Sequence, residues 1–246
     1  MVSPMESVLP SGKRVDRLRH VRHERGAFRG RFFEEHADFW PIARAARTFA
    51  DRDDWPEVEE YASAFEGETP VRFVFSPPRR RRPDGQPVAR GDLYDAVIVH
   101  RRAVPTRARM WHDYLNALVW ATFPRAKLAL HGRQHAAIER WIPDGATHLP
   151  NARTRELDAL ALVDEGGVIV LDFGATQVPI LFGHALFEGL VLGQPAMIAR
   201  SVVLDARGLT AESNQVVLRL ADTLLAEILQ DTARIVSPDE LPRRPL

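Results

Sequence analysis

Residues 107–142, with the sequence RARMWHDYLNALVWATFPRAKLALHGRQHAAIERWI, decide the fold. Apolar side chains recur there every three to four positions, which is the spacing of one helix face. Pro124 divides the stretch, because proline is tolerated in the first turn of a helix but not in its interior. The pattern therefore predicts two consecutive helices, one over 107–122 and one over 124–141.

The residues that follow predict a sheet. The apolar runs 159–163 and 168–171 flank Asp164-Glu165-Gly166-Gly167, and a short polar turn with two glycines between such runs is typical of a hairpin. We expect this hairpin over 159–172. Further signals on both sides predict strands at 71–75 and 197–204, and helices at 92–101, 181–191 and 210–230.

The fold class that these elements predict is α+β, a mainly helical single domain with a small antiparallel sheet that includes the hairpin. Its predicted bounds are residues 37–236. An Arg- and His-rich stretch over 1–36 lacks periodicity and is expected to be a partly ordered basic arm. Residues 237–246 form a Pro/Arg-rich tail. The four arginines at 79–82 lie in a predicted surface loop, since prolines flank them.

Composition excludes several classes of protein. The 246 residues carry 33 positive and 33 negative side chains, and this balance argues against a dedicated nucleic-acid binder. The absence of cysteine excludes disulfides, thiol nucleophiles and cysteine-ligated metals. No apolar run reaches the roughly 18 residues that a membrane span needs, and the N-terminal residues lack a secretory pattern. We therefore expect a soluble, cytoplasmic protein that does not act at a membrane.

Polar residues on apolar helix faces mark a candidate catalytic site. On the first helix His112 and Asn116 are four residues apart at the edge of the predicted buried face, whereas Asp113 points away from that face. On the helix at 181–191, His184 and Glu188 are also four residues apart. Burying ionisable groups costs free energy unless they bind one another or a ligand. We therefore predict catalytic roles for these five residues, with histidine and carboxylate as general base and acid.

His131 and His135 suggest a metal site. They are four residues apart on the second helix and point the same way as its aliphatic side chains, which is the spacing of histidine ligands in helical metal sites. Asp164 is the predicted third ligand, with Glu188 and His184 as alternatives, and the cofactor would be a divalent metal ion of open identity. The residue after the first histidine is a glycine, so this is not the zinc-peptidase motif. Packing of both histidines in the core is the alternative interpretation.

Asp158, Asp164 and Glu165 form a further acidic group. Carboxylates at a hairpin tip can hold Mg²⁺ or Ca²⁺ through oxygen ligands. A tight turn, however, requires the same residue types as Asp164-Glu165-Gly166-Gly167, and turn chemistry is the interpretation that we favour.

One block of the chain resembles a known family. The segment WHDYLNALVWATFPRAK at 111–127 is similar to the pattern WHD-x2-NALVW-x2-FP-x2-K of a bacterial family known only as a domain of unknown function. Weaker similarity extends over about 90–230 and includes FGHALFE at 182–188. The tail departs from the family, because LPRRPL at 241–246 replaces a Pro-rich closing segment with Gly-Trp. The resemblance implies a bacterial, soluble, single-domain protein and supplies no reaction.

Two functions from different classes fit these observations. The first is a small-molecule enzyme with a His/carboxylate pocket, which a bound divalent metal would make a hydrolase. The alternative is a non-catalytic module that binds a ligand or another protein through the same residues. Convergence of the histidines with a carboxylate on one point would favour a metal, whereas separate hydrogen bonds from each histidine would favour a structural role.

Overall fold

The computed structural model describes residues 27–77, 87–143, 145–147 and 153–246. The α-helices within these residues are α1 (Ala43–Ala46), α2 (Tyr94–Arg101), α3 (Trp111–Thr122), α4 (Pro124–Trp141), α5 (Arg155–Gly166), α6 (His184–Val191) and α7 (Asn214–Gln230). The strands are β1 (Arg72–Phe75), β2 (Ala103–Thr106), β3 (Gly167–Asp172), β4 (Gln177–Leu181), β5 (Ile198–Asp205) and β6 (Arg243–Pro245). Short 3-10 helices cover Phe32–Glu34, Ala37–Phe39, Arg47–Phe49, Val58–Ala64, Arg90–Asp92 and Pro238–Glu240.

The two helices that decide the fold are present as α3 and α4, and the α+β class is confirmed. Helix α3 begins at Trp111, later than the predicted residue 107, because Ala103–Thr106 form strand β2 and the chain turns before the helix. Pro124 stands in the first turn of α4, as predicted. Helix α3 is buried on most of its surface, so the domain is built around it.

The predicted hairpin over 159–172 is wrong in its first half. Residues 159–163 belong to α5, which Thr154 caps by accepting a hydrogen bond from the Leu157 amide at 3.2 Å. Within α5, Leu157, Leu160 and Val163 are buried at helical spacing. Alanine and leucine favour a helix, and the cap decides between the two structures that this apolar run permits. The actual hairpin pairs β3 with β4, one element later.

The sheet is mixed and not purely antiparallel as expected. Its strand order is β4-β3-β5-β6, in which β3 and β5 run parallel and the two outer pairs run antiparallel. Helix α6 connects β4 to β5, and this connection returns β5 beside β3 in the same direction. A second sheet consists of β1 and β2, which are parallel. The hydrophobic pattern of a single strand does not predict which strands pair or in which direction, since these pairings join residues far apart in sequence.

Both ends of the described chain pack on the domain. Phe28 and Phe32 lie in the core with ring centroids 5.7 and 5.2 Å from that of Trp111. At the other end β6 pairs with β5 through Arg243 and Pro245. The division into arm, domain and tail at residues 36 and 237 stays a prediction. Residues 1–26 of the predicted arm and the Arg79–Arg82 loop lie outside the described residues.

Candidate functional site

A cavity of about 1100 Å³ opens between α2, α3, α4 and α5, with the start of α6 at one wall. Its polar lining includes the side chains of His112, Asn116, His131, Asp164, Glu165 and His184, together with Asp95, Arg107, Arg109, Asp113 and other polar residues. Most of the first six were candidates in the sequence, and the structure shows which of them meet.

Three ligand-type side chains from three helices converge at this wall. His112 is the second residue of α3, Glu165 lies in the last turn of α5, and His184 is the first residue of α6. The Nε2 atoms of the two histidines are 3.0 Å apart, and Glu165 Oε2 is 3.2 Å from the His184 Nε2 and 4.0 Å from the His112 Nε2. All three ligand atoms lie within 4.8 Å of one another. Within the described ranges, this is the group of three or more such residues that could hold a metal ion.

The close approach of α5 and α6 brings Glu165 and His184 together. The Gly183 amide donates a hydrogen bond to the Gly167 carbonyl at 2.9 Å, and a Cβ at Gly183 would overlap the Glu165 carbonyl group. Only glycine fits at this crossing, since any other residue would place a side-chain carbon against backbone. The local sequence Phe182-Gly183-His184 thus sets the position of the histidine.

Each histidine of the cluster has a second carboxylate behind it. His112 Nδ1 donates a hydrogen bond to Glu188 Oε2 at 2.9 Å, which leaves its Nε2 facing His184. His184 Nδ1 lies 3.9 Å from Asp164 Oδ1 and has no hydrogen-bond partner among the described residues, although the side chain is only 4% exposed. The hydrogen bond to Glu188 thereby fixes the tautomer and the ring orientation of His112.

A buried lysine lies beneath the cluster. Lys127 of α4 is fully buried and donates hydrogen bonds to Asn116 Oδ1 at 2.8 Å and to Asp164 Oδ1. Its ammonium group also lies 5.6 Å from the ring centroid of Trp120. Asn116 in turn donates to the Tyr94 hydroxyl at 3.3 Å. These contacts join α2, α3, α4 and α5 in one polar network below the cavity.

The electrostatics of the two histidines differ. Burial lowers the pKa of His184 to about 3 and outweighs the attraction of Asp164. At His112 burial also acts downward, but the hydrogen bond to Glu188 and the charges of Glu165 and Glu188 outweigh it and raise the pKa. At neutral pH the imidazole ring of His184 is therefore neutral.

The pKa values of the two neighbouring carboxylates, Asp164 and Glu165, are shifted in opposite directions. Burial raises the pKa of Glu165, and the neighbouring negative charge of Asp164 adds to this effect. Burial acts on Asp164 in the same direction, but the positive charge of Lys127, with His184 and His131, holds the pKa of Asp164 well below its usual range. Burial and the Asp164 charge raise the pKa of the Tyr94 hydroxyl well above its usual range, so it keeps its proton.

The predicted ligands His131, His135 and Asp164 do not meet as one set. His131 Nδ1 donates to Asp95 Oδ1 at 2.8 Å, and its ring stacks on Trp120. His135 Nε2 instead lies 3.0 Å from His100 Nε2 at the protein surface. Asp95 and His100 both belong to α2. The periodicity of α4 alone cannot predict that α2 packs against it. Asp164 binds Lys127, as described above.

The predicted catalytic residues divide into two groups. His112, His184, Glu188 and Asn116 belong to the cluster and the network below it. Asp113 is separate, because its carboxylate accepts hydrogen bonds from the backbone amide and the guanidinium group of Arg107. It therefore ties the loop before α3 to the first turn of that helix.

Sequence reasoning missed Glu165 as a partner of the histidines and Lys127 altogether. Glu165 had been assigned to a hairpin turn, whereas the extension of α5 to Gly166 places it in the last helical turn. One signal pointed to Lys127: the chain has only two lysines among its 33 basic residues. The use of lysine where arginine is otherwise preferred marks a position that needs a compact charge.

Fold and site together define an α+β protein in which a His/carboxylate cluster borders a large cavity. Residues 83–178 match the model of a family described as a protein of unknown function (DUF3025). The predicted resemblance to an uncharacterised family is thereby confirmed for this part of the chain. The matched segment includes His112, Lys127 and Glu165, whereas His184 and Glu188 lie beyond it.

No curated protein and no solved structure was found to match the chain. Across the described residues, no helix has both the length and the apolar character to cross a membrane.

Proposed function

We propose that this protein is a hydrolase of small molecules that uses a divalent metal ion held by His112, Glu165 and His184. The observation that carries the proposal is the convergence of two histidine Nε2 atoms and one carboxylate oxygen at the wall of the cavity. Two histidines and one carboxylate are a recurring ligand set of catalytic zinc and iron sites, and they leave coordination positions open.

The surroundings of the three ligands support a metal. Glu188 fixes the His112 ring with Nε2 toward the cluster, and the low pKa of His184 keeps its ring neutral, as a ligand requires. A metal ion bound through Nε2 leaves the Nδ1 proton of His184 directed toward the Asp164 side. This tautomer places the proton on the buried Nδ1, which lies 3.9 Å from Asp164 Oδ1.

The other cavity residues have roles in such a reaction. His112, Glu165 and His184 would hold a divalent ion, and such an ion would polarise a carbonyl or phosphoryl oxygen and lower the pKa of bound water. The Tyr94 hydroxyl accepts from Asn116 and keeps its proton, so it can donate to an oxygen of the substrate. Lys127 holds Asn116 and Asp164 in place from below, and it does not reach the cavity itself.

The test is the metal content of protein purified without a histidine tag, measured by elemental mass spectrometry. We expect a near-stoichiometric divalent metal in the wild type and its loss in His112→Ala and in His184→Ala. In Glu188→Gln the metal should bind 10- to 100-fold more weakly, because the group that orients His112 is weakened. Metal-loaded protein would then be screened for hydrolysis of carboxylic and phosphate esters, and turnover should disappear with the metal.

The chain provides a matched control. His100 and His135 also have Nε2 atoms 3.0 Å apart, but they lie at the surface and belong to no group of three ligands in the described chain. The His100→Ala/His135→Ala variant should therefore keep its metal. A wild-type protein that stays metal-free in the presence of zinc, manganese and iron would overturn the proposal, and so would loss of metal in the control alone.

A metal-free enzyme is the second candidate function. Its support is the difference between the raised pKa of His112 and the pKa of about 3 at His184, since environments that separate two pKa values create an acid and a base. In this case His112→Ala would abolish turnover in a protein that contains no metal. Ligand binding without turnover would instead favour the non-catalytic binding module.

A further inference from the structure

We propose that the substrate carries a straight hydrocarbon chain, an acyl group in particular, which lies between α4 and α5 while its reacting end sits at the His/Glu cluster. This inference rests on the proposed function, since it names the substrate class of the same site. It is based on the order of polar and apolar side chains along the two helices that form the cavity walls.

Helices α4 and α5 run antiparallel past one another. Lys127, in the first turn of α4, contacts Asp164 near the end of α5. Arg133 and Arg140, further along α4, both contact Glu156 near the start of α5, at 2.9 and 3.0 Å. One end of the helix pair is therefore next to the cluster, and the other end is remote from it.

The cavity lining changes from polar to apolar along this pair. On α4 the lining residues are His131 and Gln134, and then Ile138 and Trp141, with Ile142 directly after the helix. On α5 the order in sequence is reversed, with Leu157 and Ala161 first and then Asp164 and Glu165. Because the helices are antiparallel, the apolar halves of both walls face each other at the same end of the cavity.

The dimensions suit an elongated group. Leu157 and Glu165 are separated by eight positions of α5, which corresponds to about 12 Å along the helix axis at about 1.5 Å per residue. Along α4 and α5 the apolar lining is aliphatic or small except for Trp141, whereas Phe75 and Met110 line the cavity elsewhere. The charged side chains of Arg133, Arg140 and Glu156 bind one another outside the lining of the cavity. The exposed Arg153 also lines the cavity, and an arginine stem can lie along a hydrocarbon chain while its charge stays in water.

Apolar side chains at a cavity wall indicate an apolar ligand. Ile138, Trp141 and Ala161 are half-buried, and Ala161 does not belong to the hydrophobic core or to the side chains packed on it. Ligand sites are typically lined by such residues with a few polar groups at one place that fix the orientation. Along α4 and α5 the polar side chains are at the cluster end, so the reacting bond would lie there and the chain would extend away from it.

The experiment is a calorimetric titration of the full chain with straight-chain carboxylates from butyrate to decanoate and with the corresponding primary alcohols. We expect the affinity to rise about threefold to fourfold with each added methylene until the apolar part is filled. Ala161→Leu should shorten the preferred chain, because the larger side chain would extend into the apolar half of the cavity. Ala136→Leu, at an exposed position of α4, is the matched control and should behave like the wild type.

Equal affinity for short and long chains in both series would overturn the inference, and so would an unchanged chain-length preference in Ala161→Leu. The titration with alcohols is repeated in His184→Ala, so that the two proposals can fail separately. Dependence on chain length in a wild-type protein that binds no metal would leave the hydrocarbon site standing and remove the metal, and the same dependence in His184→Ala would show that the hydrocarbon site does not require the metal. A stoichiometric metal without dependence on chain length would remove only the hydrocarbon site.

Discussion

At the scale of single residues, the ion pair between Lys127 and Asp164 carries a large desolvation cost because both side chains are buried or nearly so. Lys127 is fully buried, and Asp164 is 13% exposed in its side chain. Removing two charges from water costs several kcal/mol for each ion, and their attraction repays this only when the remaining hydrogen bonds are also made. Asn116 accepts one of those bonds from Lys127. The pair therefore depends on both partners being present.

We predict that Lys127→Met destabilises the protein by about 3–5 kcal/mol, because it leaves the Asp164 carboxylate buried without a counter-charge. Urea unfolding measures this cost. The double variant Lys127→Met/Asp164→Asn should recover most of it, since neither charge remains. Arg155→Met is the control, because its ion pair with Asp239 is exposed and such pairs contribute about 1 kcal/mol or less. A cost of Lys127→Met no greater than that of the control would contradict the prediction.

At the scale of elements, the sequence predicted those helices whose position depends on neighbouring residues in the chain. The α3–α4 pair followed from periodicity and from Pro124. The apolar run 159–163 satisfied both a strand pattern and a helix pattern, and the Thr154 cap outside the run decided for the helix. The sequence reasoning placed His112, His184 and Glu188 together, and the structure has them in contact. The sequence reasoning assigned metal binding to His131 and a turn to Glu165, whereas the structure has Glu165 beside the two histidines of the cluster. The partners of both residues come from helices that periodicity cannot place in space.

Gly183 is the element-scale feature on which the cluster depends. Gly183 lies where the start of α6 crosses the end of α5, and only a hydrogen atom fits on its Cα. A Cβ at this position would overlap backbone atoms of Glu165 and Gly167. Neither backbone segment can move independently, since Gly167 also begins β3. The distance between Glu165 and His184 is therefore set by the backbone contact of Gly183 with Glu165 and Gly167.

We predict that Gly183→Ala separates α5 from α6, lowers the free energy of unfolding by about 1–3 kcal/mol through overpacking, and weakens metal binding at the same time. Thermal unfolding and metal titration measure the two effects. Gly132→Ala, within α4, is the control: a Cβ there meets nothing within 4 Å. Because alanine favours a helix more than glycine does, this control should stabilise the protein by about 0.5–1 kcal/mol. Metal binding by Gly183→Ala equal to that of the wild type would contradict the prediction.

At the scale of the whole molecule, the helices of the site are held from the other side by α7. Asp222 of α7 is buried and accepts hydrogen bonds from the backbone amides of Arg125 and Ala126 at 3.3 and 2.8 Å, in the first turn of α4. A carboxylate suits the start of a helix, where amides lack partners within the helix. The contact thus joins the C-terminal helix to the helix that supplies Lys127 and His131.

The burial of Asp222 makes the stability of the whole molecule depend on pH. Burial raises the pKa of Asp222 to about 6 and outweighs the two amide hydrogen bonds and the nearby Arg125 charge. The native state then holds its proton more tightly than the unfolded chain, whose aspartate pKa is about 3.9. Stability from this group is fully present below about pH 4 and decreases as the pH rises to about 6, because the buried group must then ionise.

We predict that Asp222→Asn removes this dependence, since the amide cannot ionise and still offers an oxygen to the Ala126 amide. The difference in unfolding free energy between wild type and Asp222→Asn, measured by urea at pH 4 and at pH 7.5, should shift in favour of the variant by on the order of 2 kcal/mol between the two values. The sign is the decisive part. A carboxylate stabilised as an anion by the helix start would shift the difference in favour of the wild type instead, because ionisation would then strengthen the contact between α7 and α4. A difference that does not change with pH would show that Asp222 ionises equally in both states and that its burial has no effect on the proton.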